Sequence, residues 1–191
     1  MKKVALFLGL LLGLSLQAQD EPKVKKHSFS AELGANVGGN LGITYERRGE
    51  NIDSEGFFLP DRTQSLIVKL YFMSDSRTFS TTHAIENGKG YGFEYGTKIF
   101  FNKTDTKGFY FTSSYTVGSI EYEKNNQYGR YTYFSFFTPD VGYKLVIAKT
   151  VSVDLHVGTS WLIEVRGRGI VDNKDFDNWV PRLGLSVGYR F

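Results

Sequence analysis

From Pro181 to the end of the chain, apolar and polar positions alternate without interruption. Pro181, Leu183, Leu185, Val187, Tyr189 and Phe191 share one parity, and Arg182, Gly184, Ser186, Gly188 and Arg190 share the other. Side chains of a β-strand point to opposite faces with a period of two, so this segment has one oily face and one wet face. The pattern recurs upstream. Val151, Val153, Leu155, Val157, Trp161, Ile163 and Val165 oppose Ser152, Asp154, His156, Gly158, Ser160, Glu164 and Arg166. In 131–147, Tyr131, Tyr133, Phe137, Val141, Tyr143, Leu145 and Ile147 oppose Thr132, Thr138, Asp140, Gly142 and Lys144, with Phe134 and Phe136 breaking the rule near one end. Segments 91–102 and 109–121 follow, the second less cleanly, and 29–37, 41–46 and 65–73 complete a set of eight predicted strands.

Local connections make such a series antiparallel, and in hydrocarbon every sheet edge must close because unpaired amides find no water. The sequence therefore predicts an all-β protein, an eight-stranded antiparallel transmembrane up-and-down β-barrel over residues 28–191. Short turns are expected at 102–107 and 148–150, and longer outer loops at 74–90, 122–130 and 167–179. The first hairpin departs from this asymmetry: Gly38-Gly39-Asn40 is tight where a loop is expected, and the 47–64 connection is long where a turn is expected.

Periodicity alone does not say which face meets lipid, since a soluble lipocalin-like barrel would turn its apolar face inward. Here the polar face mixes glycine with charges of both signs, and the apolar face is nearly free of charge, as a membrane barrel requires. Two aromatic bands are expected at the interfaces, with Phe101, Phe109, Tyr143, Tyr189 and Phe191 at the periplasmic rim and Tyr91, Phe93, Tyr131, Tyr133 and Trp161 at the outer rim.

The beginning of the chain reads as a secretory signal peptide, residues 1–18. Lys2 and Lys3 precede an apolar stretch from Val4 to Leu16, too short to span a bilayer as a helix, and Ala18 offers a cleavage point. A short polar segment, 19–27, would follow. Removing the leader takes two lysines away and lowers the formal charge from +3 to +1, which gives no argument for nucleic acid as a partner. The 21 glycines, 12 tyrosines and 16 phenylalanines against only 4 prolines favour long strands with aromatic contact surfaces. With no cysteine, disulfides, thiolate metal sites and cysteine nucleophiles are excluded.

Short motifs recur at consistent places: Gly42-Ile43-Thr44-Tyr45-Glu46-Arg47 after a glycine turn, Gly108-Phe109-Tyr110-Phe111, Val141-Gly142-Tyr143-Lys144 and Gly188-Tyr189-Arg190-Phe191. In order and spacing the chain resembles the small outer-membrane β-barrel proteins common in Bacteroidota, OmpA/OmpX-like in size, including a family known only as a domain of unknown function. The resemblance implies a location in the outer membrane of a Gram-negative bacterium and no established catalytic residue. It also implies that the alternating end of the chain, with Tyr189 and Phe191, is the signal read by the barrel-assembly machinery.

The wet face supplies Glu32, Glu46, Lys69, Glu94, Lys98, Asp140, Lys144, Asp154, His156, Glu164, Arg166, Arg182 and Arg190. An eight-stranded barrel is just wide enough for its own side chains, so these charges are expected to pair in a filled polar lumen rather than line a channel. His156, with Asp154 and Ser160, invites a catalytic interpretation, but all three share the lumen face, away from acyl chains that a lipid-modifying barrel would cleave. His27 and His83 form no metal-ligand spacing with it. The run Asp172-Asn173-Lys174-Asp175-Phe176-Asp177-Asn178 has alternating Asp and Asn but lacks the central glycine and distal glutamate of a calcium loop, so a solvated outer loop is expected. No lysine-serine phosphate loop follows the glycine pairs. The expectation is a non-enzymatic outer-membrane barrel, without cofactor or metal, with a structural or surface-interaction role. It would contact outer-membrane lipid and lipopolysaccharide and, through its loops, a surface partner. The alternatives are a narrow pore for ions or small solutes and a lipid-modifying enzyme.

Overall fold

The structure is a computed structural model that describes residues 25–36, 39–49, 62–74, 88–103, 105–124, 127–169 and 178–191. The predicted leader at 1–18, most of the connections 47–64 and 74–90, Gly38, His83 and the 172–177 part of the acidic run lie outside these residues. Eight strands form: β1 (His27–Ala35), β2 (Gly39–Arg48), β3 (Thr63–Ser74), β4 (Lys89–Phe100), β5 (Gly108–Lys124), β6 (Gln127–Ile147), β7 (Val151–Gly169) and β8 (Trp179–Arg190). Each pairs antiparallel with its sequence neighbours and β8 returns to β1, closing the barrel. We call the end that carries both the start of β1 and the end of β8 the lower end.

Closure is secured there twice over. The His27 amide donates to the Phe191 carbonyl at 3.1 Å and the Phe191 amide donates back to His27 at 2.9 Å. The His27 ring stacks on Phe191 and Tyr45, and Phe29 joins them. The connection from β6 to β7 is a three-residue turn, 148–150, in which Ala148 and Lys149 both have positive φ, the backbone sense that matches the twist of the flanking strands.

The alternation assigns the faces. Leu33, Ile43, Leu70, Phe72, Tyr91, Phe109, Val141, Leu155 and Leu185 are all at least 40% exposed on the outside, whereas the polar parity is buried within. So much contiguous apolar surface cannot face water in a monomer, and it forms the band that meets hydrocarbon. Of the rim aromatics, Phe101, Phe109, Tyr143 and Phe191 are exposed toward the lower end, and Tyr91 and Phe93 toward the upper.

Tyr131 and Tyr133 are the exceptions, because they point inward and are fully buried. The cause is a β-bulge. Ser114 lies opposite Thr138 but Thr116 lies opposite Ser135, and on the other side Phe134 faces Ile163 while Phe137 faces Trp161. Strand β6 thus carries one extra residue near Phe136, which reverses its parity above that point. The break noted at Phe134 and Phe136 is this bulge. A second irregularity pairs Tyr133 with Glu164 but Thr132 with Arg166, so β7 has an extra residue at Val165. Arg166 then shares the outer face with Thr132 and is exposed, contrary to its expected place on the lumen face.

Strands β5, β6 and β7, of 17, 21 and 19 residues, rise beyond the others, which have 9 to 12. Most of the expected loop at 122–130 is therefore strand, as are 167–169 of the loop expected at 167–179: β5 and β6 stay paired to Lys124 opposite Gln127. Leu155→Arg places a charge on the outer band and should lower the stability of the barrel folded into lipid vesicles by about 2 to 4 kcal/mol. A urea titration in vesicles would read this, and a variant as stable as the parent would refute the face assignment.

Candidate functional site

The interior is built in storeys. Inward positions recur at every second residue, so each strand contributes a ladder of side chains, and neighbouring strands bring opposite charges to the same level. In the lower half, the Lys144 ammonium donates to Glu46 at 2.9 Å, and Lys98 donates to Asp154 at 2.6 Å while lying 3.6 Å from Glu46. The Tyr110 hydroxyl also donates to Asp154, and its ring lies under the Lys98 ammonium, 4.5 Å from the centroid. Above this, Lys69 bonds to Glu32, and His156 Nε2 lies 3.7 Å from the same carboxylate. Higher still, Arg182 donates to both oxygens of Glu94 at 2.9 and 3.1 Å, its Nε lies 3.2 Å from Asp140, and Ser114 donates to Glu94 at 2.8 Å. At the lower mouth, Arg190 reaches Asp105 at 2.5 Å and Thr106 at 3.1 Å.

Glu32, Glu46, Glu94, Asp140 and Asp154 thus stand against Lys69, Lys98, Lys144 and Arg182, all buried. Mutual pairing is what makes such burial tolerable, because an isolated charge removed from water is prohibitive. Glu164 sits half-buried above the network, and Arg166 is outside it.

What the sequence did not reveal is the upper storey. Tyr71, Met73, Ile120, Tyr122, Tyr131, Tyr133, Leu162 and Val180 form a buried cluster inside the barrel, above the charges. The Tyr71 and Tyr133 hydroxyls are 3.1 Å apart, and Tyr133 and Tyr131 stack at 5.9 Å. These rings fit because glycines face them across the strands. Tyr71 opposes Gly92 and Tyr133 opposes Gly118, as in the lower storey Tyr110 opposes Gly142, and a Cβ on any of these glycines would overlap the opposing ring. The glycines on the wet parity were the available signal; the rings they accommodate were concealed by the β6 bulge and by being apolar.

Within the charged storey lies a cavity of about 20 Å³, lined by Glu32, Lys69, Glu94, Asp140, His156 and Arg182 among others. That is room for about one water molecule. His156 packs over Gly184 inside the wall, and Asp154 is committed to Lys98 and Tyr110. Ser160 accepts from Arg182 at 3.3 Å rather than from His156. The three residues therefore do not assemble as nucleophile, base and orienting acid. Among the described residues, no grouping of His, Asp and Glu could hold a metal ion.

The fold is similar to that of a major outer membrane protein from Thermus thermophilus, with a TM-score of 0.52 and 15% sequence identity over 88% of this chain and 100% of that one. No known family profile matches the chain, and no curated protein matches it. At that identity the likeness concerns the barrel alone.

Removing one member of the paired interior is expected to cost far more than trimming a surface charge. Arg182→Met, which leaves Glu94 and Asp140 without their guanidinium, should destabilise the barrel by about 3 to 5 kcal/mol. Gly142→Val, which drives a side chain into the Tyr110 ring, should cost about 1 to 3 kcal/mol. Chemical denaturation in detergent micelles measures both, and unchanged midpoints would mean that the interior is not packed as described.

Proposed function

We propose that this chain is a non-enzymatic barrel of the outer membrane of a Gram-negative bacterium, of the small kind common in Bacteroidota, with a structural or surface-interaction role. The observation that carries the reading is the filled interior. Paired charges and a tyrosine layer occupy the lumen of the described strands, and the cavity among the charges, about 20 Å³, has room for about one water. The apolar exterior and the fold similarity to the Thermus thermophilus outer membrane protein support the location.

With its centre occupied, the barrel has its outer wall and upper end left for interaction. Strands β5–β7 carry the wall above the level where the other strands stop, which gives a partner a surface clear of the lipid band. Tyr189 and Phe191, on the outer parity at the lower end, would serve recognition by the barrel-assembly machinery. A catalytic role finds no support in His156, which lies within the wall and beside Glu32.

Purified protein in planar bilayers should give no discrete conductance steps. Steady single-channel openings would favour the narrow-pore reading instead. Incubation with lipopolysaccharide should leave its acyl chains unchanged by mass spectrometry, and loss or transfer of a chain would make the protein a lipid-modifying enzyme.

A further inference from the structure

The two bulges place a set of cations where an interior-facing alternation would not. Across the tops of four strands, Lys89, Glu121, Arg130 and Arg168 lie opposite one another in a continuous hydrogen-bonded row. One row lower, Tyr91, Ser119, Thr132 and Arg166 do the same. Directly opposed residues share a face, and the Ser119 and Thr132 hydroxyls meet at 3.1 Å on the outside of the barrel. Both rows therefore look outward.

Below them on the same wall are Phe93, Val117, Phe134, Ile163 and Val165, each exposed. From Val153 to Ile163 the outward residues of β7 span about 25 Å once strand tilt is allowed for, the height of a hydrocarbon band. Arg166 and Arg168 thus sit just above the apolar band, at the level of lipid headgroups. Arg130 is engaged by Glu121. Among the described residues, neither Arg166 nor Arg168 has an acidic partner. As alternate residues of one strand they stand about 6.5 Å apart on one face, a spacing from which two guanidinium groups can converge on one phosphate.

We propose that Arg166 and Arg168, supported by Arg130, bind the phosphate of an anionic lipid in the surrounding leaflet, with its acyl chains lying on Ile163, Phe134 and Val117. The combination selects a membrane lipid: cations directly above an apolar wall match a molecule with phosphate and acyl chains joined at the same spacing, whereas a free phosphate would use only half of the surface. Guanidinium groups give bidentate bonds to phosphate oxygens, and the partly dehydrated interface strengthens them. The site rests on the membrane-barrel reading above, and it makes the outer wall of β6 and β7 a lipid-selective surface.

The test uses the full barrel in non-ionic detergent and native mass spectrometry, with bisphosphorylated lipid A as probe, the same lipid after removal of its phosphates as comparison, and excess inorganic phosphate as competitor. The parent should retain the phosphorylated lipid preferentially and should not lose it to inorganic phosphate. The double variant Arg166→Gln/Arg168→Gln should bind it about tenfold more weakly. Lys103→Gln/Lys107→Gln, which removes the same charge at the lower end, should bind like the parent. Equal retention of both lipids, equal binding by the arginine variant, or displacement by inorganic phosphate would overturn the proposal. Insertion into neutral phosphatidylcholine vesicles, followed by heat-dependent gel mobility, is measured in parallel. A barrel that inserts but ignores the phosphate defeats this site alone, whereas one that does not insert defeats the membrane reading and the site with it.

Discussion

In hydrocarbon, a polar group that is not bonded to the protein has nothing else to bond, and this constraint organises the whole molecule. It acts first on the backbone: β8 returns to β1, so the sheet has no edge within the lipid band. It then acts on the interior, where closing eight strands encloses a space that only side chains can fill. The chain fills the lower part with alternating charges that satisfy one another and the upper part with tyrosines that contribute apolar area as well as hydroxyls. Removing either storey would leave the other facing an unfilled space.

The alternation of residues was enough to read strand number, order, antiparallel closure and the sidedness of most positions. Segments such as 151–163 and 181–191 are regular because every residue must choose between lipid and lumen. The short β1–β2 hairpin, which departs from the expected pattern of short turns and long loops, is also present, its register running from His27 opposite Arg47 to Ala35 opposite Gly39. Reading failed where the period itself failed. The extra residue in β6 reverses its parity above Phe136, so Tyr131 and Tyr133, assigned to the lipid rim, belong to the interior; the extra residue at Val165 moves Arg166 to the outside. A bulge inserts one residue without a distinctive composition, and here only the unusual Phe134, Phe136 and Phe137 run hinted at it. The charge list was legible as a set of types, but which acid meets which base depends on barrel register. Strand alternation does not contain that information.

The same geometry bears on function. A barrel whose centre is held shut by ion pairs and rings has little freedom to open a path, because each pair that separates exposes two unsatisfied charges at once. On the proposed function, interaction falls to the outer wall and to the raised β5–β7 sheet. The bulges connect the two themes: they turn tyrosines inward to complete the packing and turn arginines outward, above the lipid band. One local device thus serves both the stability of the core and the character of the surface.

Alternate residues face lipid while their neighbours meet inside. Because the chain has no cysteine of its own, single cysteines can be introduced one at a time from 153 to 163 and spin-labelled without background. In bilayers, collisions with oxygen should be high at Val153, Leu155, Val157 and Ile163, and low at Asp154, His156 and Ser160. The opposite alternation, or a uniform accessibility to a water-soluble nickel complex along the strand, would contradict the account.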